Sequence, residues 1–393
     1  MPHTPDADVI LGNEPGSFPH SVLAERHPAI IRQVRESFPY EPAQHRALDA
    51  LLARCTEGVI EPLPAEAHDR DDWLAWGMAR YAGLSWFDVP WLWSESWFYR
   101  QLLDAVGYFG PGPWQGIDPF RPSKLAELDS PATAEELAAL DDLAARPAAE
   151  REQALLHGSL WGNRADLGFR LSAEGAEETA AAPGLVADDS ERLRQLLDDR
   201  SGGATLALIA DNAGRELVPD LLLLAHLLAH GRIARAVLHV KPYPYYVSDA
   251  TTADVVDAVR RLRDAQGAAA EYGHLLWHAL ADGRLRIGAH AFFCSPLPYE
   301  DMPGDLRADL AAADLTVVKG DLNYRRLVGD RWWPPVTPFA DVTAHFPGPV
   351  AALRTLKSDV ITGLAPATEA ALVAAEDQRW RVSGTHALIQ VRE

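Results

Sequence analysis

The sequence is poor in cysteine and in basic residues. Its 393 residues include two cysteines, Cys55 and Cys294, and 36 Lys and Arg against 56 Asp and Glu, a net charge of −20. No CxxC pair occurs, which excludes a zinc ribbon and a redox dithiol, so we expect two free thiols in a reducing compartment. The acidity and the lack of a Lys/Arg cluster argue against a nucleic acid or an anionic membrane as partner. A small anionic substrate stays compatible, because a bound cation can outweigh the overall field locally.

Long hydrophobic runs and common nucleotide motifs are also missing. Apolar runs such as Leu221–Leu224 fall far below the ~20 residues of a membrane span. The N-terminus has no basic stretch followed by an apolar run, so we expect a cytoplasmic protein without a signal peptide. The sequence contains no GxSxG and no GxGxxG, and GPGPWQGIDPFRP is not followed by GKS or GKT. A serine-hydrolase elbow, a dinucleotide fold and a P-loop therefore have no signature here.

What is present is a helical first half and an alternating second half. Residues 21–109 have a helical pattern with six tryptophans within 25 positions, which indicates an aromatic core, or a lid over a pocket for residues 90–100. From residue 205 short apolar runs alternate with helical patterns, at 205–211, 235–240, 285–289, 314–320, 350–356 and 385–391. Such alternation predicts an α/β fold with a mostly parallel sheet covered on both faces. We predict a helical N-terminal domain over 1–185 that contributes to the substrate pocket, and a catalytic domain over 186–393.

Ligands of an open α/β sheet bind beyond the carboxyl ends of its strands. Asp211 and Asn212 follow the first strand and either offer hard oxygen ligands or cap a helix. Asp249 follows the second strand, and it fits a third ligand or a cap of the helix near Thr252. The histidine pairs four residues apart, His226/His230 and His274/His278, lack the HExxH glutamate, so we expect core or surface histidines.

Two later segments carry basic residues at strand ends. Residues 319–326, KGDLNYRR, combine cations with an acid and an amide, and they suit either a phosphate grip or a solvated turn. In RTLK, residues 354–357, strand alternation puts Arg354 and Lys357 on opposite faces.

These segments together resemble one family. The chain resembles the damage-control phosphatases, which are also described as acidic-residue (protein-glutamate) carboxyl methyltransferases, and within them the subfamily with an RTxK motif. The resemblance is carried by six stretches: PWLWSESWFYR (90–100), SLWGNRADL (159–167), DNAGREL (211–217), VSDAT (247–251), KGDLNYRRL (319–327) and RTLK (354–357). The resemblance implies a helical N-terminal domain and an α/β/α sandwich. It implies one divalent cation held by Asp211, Asn212 and Asp249. It also implies substrate contacts from the segment Asp321, Leu322, Asn323, Tyr324 and Arg325, from Lys357, and from Glu95 and Asn163.

The residues suggest a mechanism that fits this resemblance. An all-oxygen ligand set suits Mg²⁺ or Mn²⁺, with Co²⁺ or Ni²⁺ as substitutes in vitro. Lys357 and Arg325, with Lys319 as a third cation, would neutralise phosphate charge. Asp211, Asn212 and Asp321 form the catalytic group, in which Asp321 either orients these cations or acts as acid or base.

The predicted function is hydrolysis of phosphate monoesters of sugars or related small metabolites, of the fructose 1-phosphate or fructose 6-phosphate type. Two alternatives stay open: a carboxyl methyltransferase that uses adenosyl-methionine, and a non-catalytic sugar-phosphate-binding module. The sequence leaves the physiological substrate and the oligomeric state open.

Overall fold

The computed structural model describes residues 7–162, 184–199 and 203–393. Asn163, a predicted substrate residue, lies outside these ranges. The N-terminal part is helical, with α1 (Phe18–Ser21), a π-helical turn (Val22–Arg26), α2 (His27–Ser37), α3 (Pro42–Glu57), α4 (Arg70–Ala75), α5 (Met78–Tyr81), α6 (Trp91–Val106), α7 (Arg121–Leu128), α8 (Pro131–Ala138), α9 (Leu140–Ala144) and α10 (Ala148–Trp161).

The C-terminal part alternates strands and helices. The strands are β1 (Gly184–Asp188), β2 (Thr205–Ile209), β3 (Arg235–His239), β4 (Leu285–Gly288), β5 (Leu315–Lys319), β6 (Val350–Thr355) and β7 (His386–Arg392). The helices are α11 (Ser190–Asp199), α12 (Leu217–Ala229), α13 (Thr252–Arg263), α14 (Gly267–Asp282), α15 (Gly304–Ala311), α16 (Gly320–Val328), α17 (Phe339–Val342) and α18 (Pro366–Glu376). Short 3-10 turns lie at Ala291–Cys294, Tyr299–Asp301 and Arg379–Arg381.

The described strands form one seven-stranded sheet in the order β1-β7-β6-β5-β2-β3-β4. The pairs β2–β3, β2–β5, β3–β4, β5–β6 and β1–β7 are parallel, and β6–β7 is antiparallel. The predicted α/β class with a mostly parallel sheet is therefore confirmed. Because β2 and β3 are adjacent and parallel, the loops that follow them leave the sheet at the same edge.

Side-chain alternation along the strands explains the layers. On β2, Leu206 and Leu208 pack in a core cluster with α10, α12, α13 and α14, whereas Ala207 and Ile209 pack in a second cluster with α15 and α16. A strand whose two faces are both covered is apolar at every position, which is why its sequence reads as a continuous apolar run. The helices therefore lie on both faces of the sheet, as the predicted sandwich requires.

The tryptophan-rich region is an aromatic core. Trp73 and Trp97 are buried with ring centroids 4.7 Å apart, and Trp93 stacks on Trp97 at 5.3 Å. Helix α6 is buried along nearly its whole length, so the core interpretation of residues 90–100 is confirmed and the lid interpretation is wrong. Cys55 and Cys294 are buried free thiols, as expected.

The predicted boundary between residues 185 and 186 falls inside β1. Leu23 and Leu92 of the N-terminal part also share a core cluster with residues of the sheet. The division into two domains therefore stays a prediction. In the part of the chain that the structure describes, no helix combines the length and the apolarity needed to cross a membrane.

Candidate functional site

The loops after β2 and β3 are hydrogen-bonded to each other. The Ala250 amide donates to the Asp211 carbonyl at 2.9 Å, and the Ala213 amide donates to the Ser248 carbonyl at 2.6 Å. These bonds form an antiparallel bridge between Asn212 and Asp249. Asp249, which is distant in the sequence, is therefore brought beside Asp211 and Asn212 at the carboxyl edge of the sheet.

Neither loop uses these side chains as helix caps. Helix α12 begins at Leu217, well beyond Asp211 and Asn212. Helix α13 is capped by a capping box in which Thr251 and Asp254 exchange hydrogen bonds, which leaves Asp249 free of that role. The alternative that these residues are ordinary caps is therefore wrong.

Asn212 is oriented by three neighbours. Ser248 Oγ donates to Asn212 Oδ1 at 2.7 Å, and Asn212 Nδ2 donates to Glu216 Oε2 at 2.6 Å and to Asp211 Oδ2 at 3.2 Å. Glu216 had no assigned role in the sequence, although it lies in the DNAGREL motif. Its carboxylate adds a further hard oxygen group beside the predicted ligands.

Carboxylates crowd this edge of the sheet. Burial raises the pKa of Asp211 well above its ordinary value, and the charges of Glu216 and Asp249 raise it further. Burial also raises the pKa of Asp249, while Lys241 and Lys124 oppose that rise. Like charges held together in a low-dielectric site favour a cation among them.

Asp249 is buried but incompletely paired. Its Oδ2 atom lies 3.5 Å from Lys241 Nζ, and neither atom makes a hydrogen bond with a described residue. Lys124 Nζ donates to the Asp249 carbonyl at 2.8 Å and so fixes the backbone of this loop. A buried carboxylate oxygen without a hydrogen bond is costly unless a ligand completes its environment.

Gly320 brings the N-terminus of α16 against Asp211. Its φ is +79°, and a Cβ atom at this position would overlap the Asp211 carboxylate. Glycine is thus required both by the left-handed backbone and by the close approach. The first amides of α16 have no intrahelical acceptor, so they are available to an anion beside Asp211.

Lys319 is buried and already has partners within the protein. Its Nζ atom lies 3.0 Å from Asp220 Oδ1 and donates to the Ser159 hydroxyl at 2.9 Å and to the Ser159 carbonyl. Lys319 also lines the small cavity beside Asp211, so its role as a third phosphate cation stays a prediction. The side chain ties the end of α10 to β5 and α12.

Asp321 is held by an arginine and a serine. Arg354 Nε donates to Asp321 Oδ1 at 2.8 Å, and Ser358 Oγ donates to the same atom at 3.0 Å. Burial alone would raise the pKa of Asp321, but Arg354, Arg325 and the Ser358 hydrogen bond outweigh it and lower the pKa. A carboxylate stabilised in its charged form suits orientation of cations better than proton transfer.

Lys357 faces the solvent while Arg354 is buried, as strand alternation predicted. The Lys357 side chain is 45% exposed, and its Nζ lies 3.4 Å from Glu216 Oε1. Burial lowers the pKa of Lys357, but the charges of Glu216, Asp211 and Asp321 raise it overall. Lys357 is therefore a protonated, accessible cation beside the crowded carboxylates.

The middle of the predicted DLNYR segment supports the fold. Asn323 Nδ2 donates to the Ala210 and Lys319 carbonyls, both at 2.9 Å, and so joins the ends of β2 and β5. The Tyr324 hydroxyl bonds to Gln390 at 3.0 Å, and both side chains are fully buried. Leu322 packs against the core. Any substrate contact of these three residues must come from backbone amides, because their side chains are engaged elsewhere.

Glu95 and Arg325 lie close enough to each other for their charges to interact. Arg325 pairs with Asp330 and lies over the Trp91 ring, 3.8 Å from its centroid. Glu95 is buried, its Oε2 atom has no hydrogen-bond partner among the described residues, and burial raises its pKa to about 7 against the lowering effect of Arg26 and Arg325. Helix α6 thus presents an unsatisfied carboxyl group to the charged groups of α16.

A metal ion fits the donor set at Asp211, Asn212 and Asp249. Among the described residues no group of three His, Cys, Asp or Glu side chains forms a metal site, so the candidate depends on the amide oxygen of Asn212. A small cavity of about 20 Å³ is lined by Asp211, Asn212 and Glu216 together with Lys319 and Gly320, and Asp249 is not among its lining residues. That volume accommodates one water or ion. Hard oxygen donors with excess negative charge suit a hard divalent cation.

The histidine pair on α12 is not part of this site. The rings of His226 and His230 lie 4.2 Å apart, and burial lowers the pKa of His226 to about 4. His226 is buried in the helix that packs under the sheet.

Acidic oxygens, an accessible lysine and an open helix N-terminus at one sheet edge are the arrangement of an enzyme for small anionic esters. The family model described as "Damage-control phosphatase ARMT1-like domain" matches residues 22–373 of this chain. The chain belongs to the ARMT1-like damage-control phosphatase family, and its enzyme class is a phosphatase. The family is metal-dependent in general.

Curated relatives named "Damage-control phosphatase ARMT1" align over almost the whole chain. The Danio rerio relative is 30% identical, with 95% of this chain and 94% of the relative covered. The Mus musculus and Homo sapiens relatives are 29% and 27% identical, each with 97% of both chains covered. A solved DUF89 family structure from Pyrococcus horikoshii aligns with a TM-score of 0.47 at 14% identity, over 88% of this chain and 91% of that chain.

Proposed function

We propose that this chain is a phosphatase that uses one divalent cation to hydrolyse phosphate monoesters of sugars or related small metabolites, of the fructose 1-phosphate or fructose 6-phosphate type. The proposal depends on one observation. Asp211, Asn212 and Asp249 lie together, and the N-terminus of α16 and the accessible Lys357 lie beside them. Each of these features favours either a hard cation or a phosphate.

Asp211, Asn212 and Asp249 would hold Mg²⁺ or Mn²⁺, with Co²⁺ or Ni²⁺ as substitutes in vitro. When bound, the cation supplies charge neutralisation and polarises a phosphoryl oxygen. Ser248 positions the Asn212 amide oxygen, since its hydroxyl occupies one side of that atom at 2.7 Å. The buried Lys241 lies 3.5 Å from Asp249 Oδ2 and opposes the rise that burial gives to the pKa of Asp249.

The phosphate group would lie between α16 and Lys357. Backbone amides of the first turn of α16 donate to phosphate oxygens, and Lys357 neutralises the charge that the leaving group gains. Asp321 is fixed by Arg354 and by Ser358, so it holds the start of α16 and the β6 end in register. Phosphoryl transfer needs mainly such alignment and charge neutralisation.

The organic part of the ester would face α6 and the second half of α16. Glu95 and Arg325 present unsatisfied polar atoms there, Glu95 Oε2 and Arg325 Nη1. Asn163 is included in the substrate contacts on the family resemblance alone. Oxygen-rich metabolites such as sugar phosphates match a wall of this kind better than apolar esters do.

The test is metal-stimulated phosphate release by Asp211→Ala. We expect this variant to lose activity by at least about 100-fold, because it lacks a carboxylate that holds the cation. Asp264→Ala, an exposed residue at the end of α13, is the control and should behave as wild type.

Full activity of Asp211→Ala with Mg²⁺ or Mn²⁺ would refute the assignment of the site. Metal-independent binding of adenosyl-methionine in a calorimeter, without phosphate release by the wild type, would favour the methyltransferase alternative instead.

A further inference from the structure

The π-helical turn of the N-terminal part is anchored beside α6. Leu23 is buried in the core cluster that also contains the first residues of α6. His27 is buried, and its ring stacks on Phe98 with centroids 3.7 Å apart. Arg26 lies between these two anchors, so its backbone is fixed next to α6 while its side chain is exposed to solvent. Short π-helical segments often occur at functional sites.

His27, the next residue, also lies edge-on to Tyr99 of α6 with ring centroids 6.4 Å apart, and this geometry places Arg26 beside the part of α6 that carries Tyr99. The pKa of Arg26 is raised by Tyr99, and then by Glu95, Tyr246 and Asp321, against the lowering effect of burial. These neighbours come from α6, from the loop after β3 and from the start of α16. The groups that act on the Arg26 charge thus belong to three separate elements around the candidate site.

Other cations around the site are engaged in ion pairs with buried or partly buried carboxylates: Lys241 with Asp249, Lys319 with Asp220, Arg325 with Asp330, and Arg354 with Asp321. Arg26 makes no hydrogen bond and no ion pair with any residue that the structure describes. Together with Lys357, it is therefore a cation that a substrate can reach without breaking a buried pair.

Several buried polar atoms of α6 and α16 make no hydrogen bond within the described residues. The Tyr99 hydroxyl, Glu95 Oε2 and Arg325 Nη1 are buried and have no hydrogen-bond partner within the described ranges. Tyr99 and Glu95 lie four residues apart on α6 and so share one face of that helix. A buried polar atom without a partner in the protein needs a water or a ligand to complete its hydrogen bonding.

We infer that Arg26 is a substrate-binding residue, which donates hydrogen bonds to oxygen atoms of the organic part of the phosphate ester. This inference rests on the proposed phosphatase function. The planar guanidinium fork contacts two oxygens at once, which suits adjacent hydroxyl groups or a carboxylate. Arg26 and the polar atoms of α6 therefore select oxygen-rich esters, whereas Lys357 and α16 bind the phosphate that all substrates share.

The test separates the two parts of the substrate. Arg26→Gln, Arg26→Lys and the control Arg32→Gln are compared on fructose 1-phosphate and on p-nitrophenyl phosphate, whose aromatic group has no hydroxyls. Arg32 is exposed on the neighbouring helix α2. We expect Arg26→Gln to raise KM for fructose 1-phosphate about tenfold or more, with KM for p-nitrophenyl phosphate changed less than about threefold.

Arg26→Lys should recover part of the lost affinity, because it keeps the charge without the planar fork. The melting temperatures of all variants should match wild type, since Arg26 is exposed and unpaired. An equal rise of KM for both substrates, or kinetics of Arg26→Gln identical to those of Arg32→Gln, would overturn the inference. A wild type that hydrolyses neither ester would instead refute the proposed function itself, and so the two failures are distinguishable.

Discussion

Gly320 offers a sharp test of how the fold positions the carboxylate at the centre of the site. The residue has a φ of +79°, and a Cβ atom there would overlap the Asp211 carboxylate. Gly329, at the other end of α16, has a similar φ of +77°, but a Cβ atom at that position would meet no other atom within 4 Å. Substitution by alanine therefore strains the backbone at both positions and displaces a neighbour at only one.

The expected magnitudes differ accordingly. An alanine in the left-handed region costs about 1–2 kcal/mol, and both variants share this cost. In Gly320→Ala the Asp211 carboxylate must also move by more than about 1.5 Å to reach ordinary van der Waals distance. A misplacement of that size costs about 100-fold in rate, and a disturbed ligand weakens metal affinity by about 10- to 100-fold.

The assay is phosphate release against metal concentration for both variants, together with thermal unfolding. We expect both melting temperatures to fall by similar amounts, while only Gly320→Ala loses turnover and needs more metal. Equal metal activation curves and equal kcat for Gly320→Ala and Gly329→Ala would refute the reasoning. That result would mean that Asp211 can move without consequence and is not a ligand.

Two further predictions concern single charged groups. Lys357→Met should lower kcat/KM by about 10- to 150-fold, because the phosphate loses one charge-assisted hydrogen bond. The melting temperature should change little, since Glu216 keeps its hydrogen bond from Asn212. An unchanged kcat/KM would contradict a contact between Lys357 and the phosphate. Because burial raises the pKa of Glu95 to about 7 from its ordinary 4.5, its contribution to stability is present below pH 4.5 and is lost as the pH rises through 7. Glu95→Gln stays neutral, so its free energy of unfolding should gain roughly 3 kcal/mol relative to wild type between pH 4.5 and pH 8. Urea unfolding at both pH values measures this gain, and parallel pH dependences would show that Glu95 is not buried as described.

The order of strands and helices was predictable because burial leaves a direct trace in the sequence. The apolar run before Asp211 and the run before Gly320 are both buried strands, as predicted. The strand β1 was missed because it is short and only one of its residues is fully buried. An edge strand of this kind has no continuous apolar run, so it resembles a loop.

Roles of polar residues were less predictable. Asp249 fitted a metal site or a helix cap in the sequence, and the capping box of Thr251 and Asp254 removes the cap, while the metal role stays a prediction. The sequence suggested that Lys319 is available to a phosphate, but its side chain extends into the interior and pairs with Asp220. Arg26 had no motif that pointed to it, because its neighbours come from distant segments.

The sequence by itself determined the α/β class, the strand ends that carry Asp211, Asp249 and Lys357, and the family to which the chain belongs. Hydrophobic periodicity and motif identity are local properties, so they can be recognised in the sequence without knowledge of the fold. Tertiary structure alone decided which side chains are free and which already have partners within the fold, and it placed Arg26, which no motif indicated, next to α6. Whether a side chain is free depends on its burial and on partners that are distant in the sequence, and no local sequence pattern encodes either property.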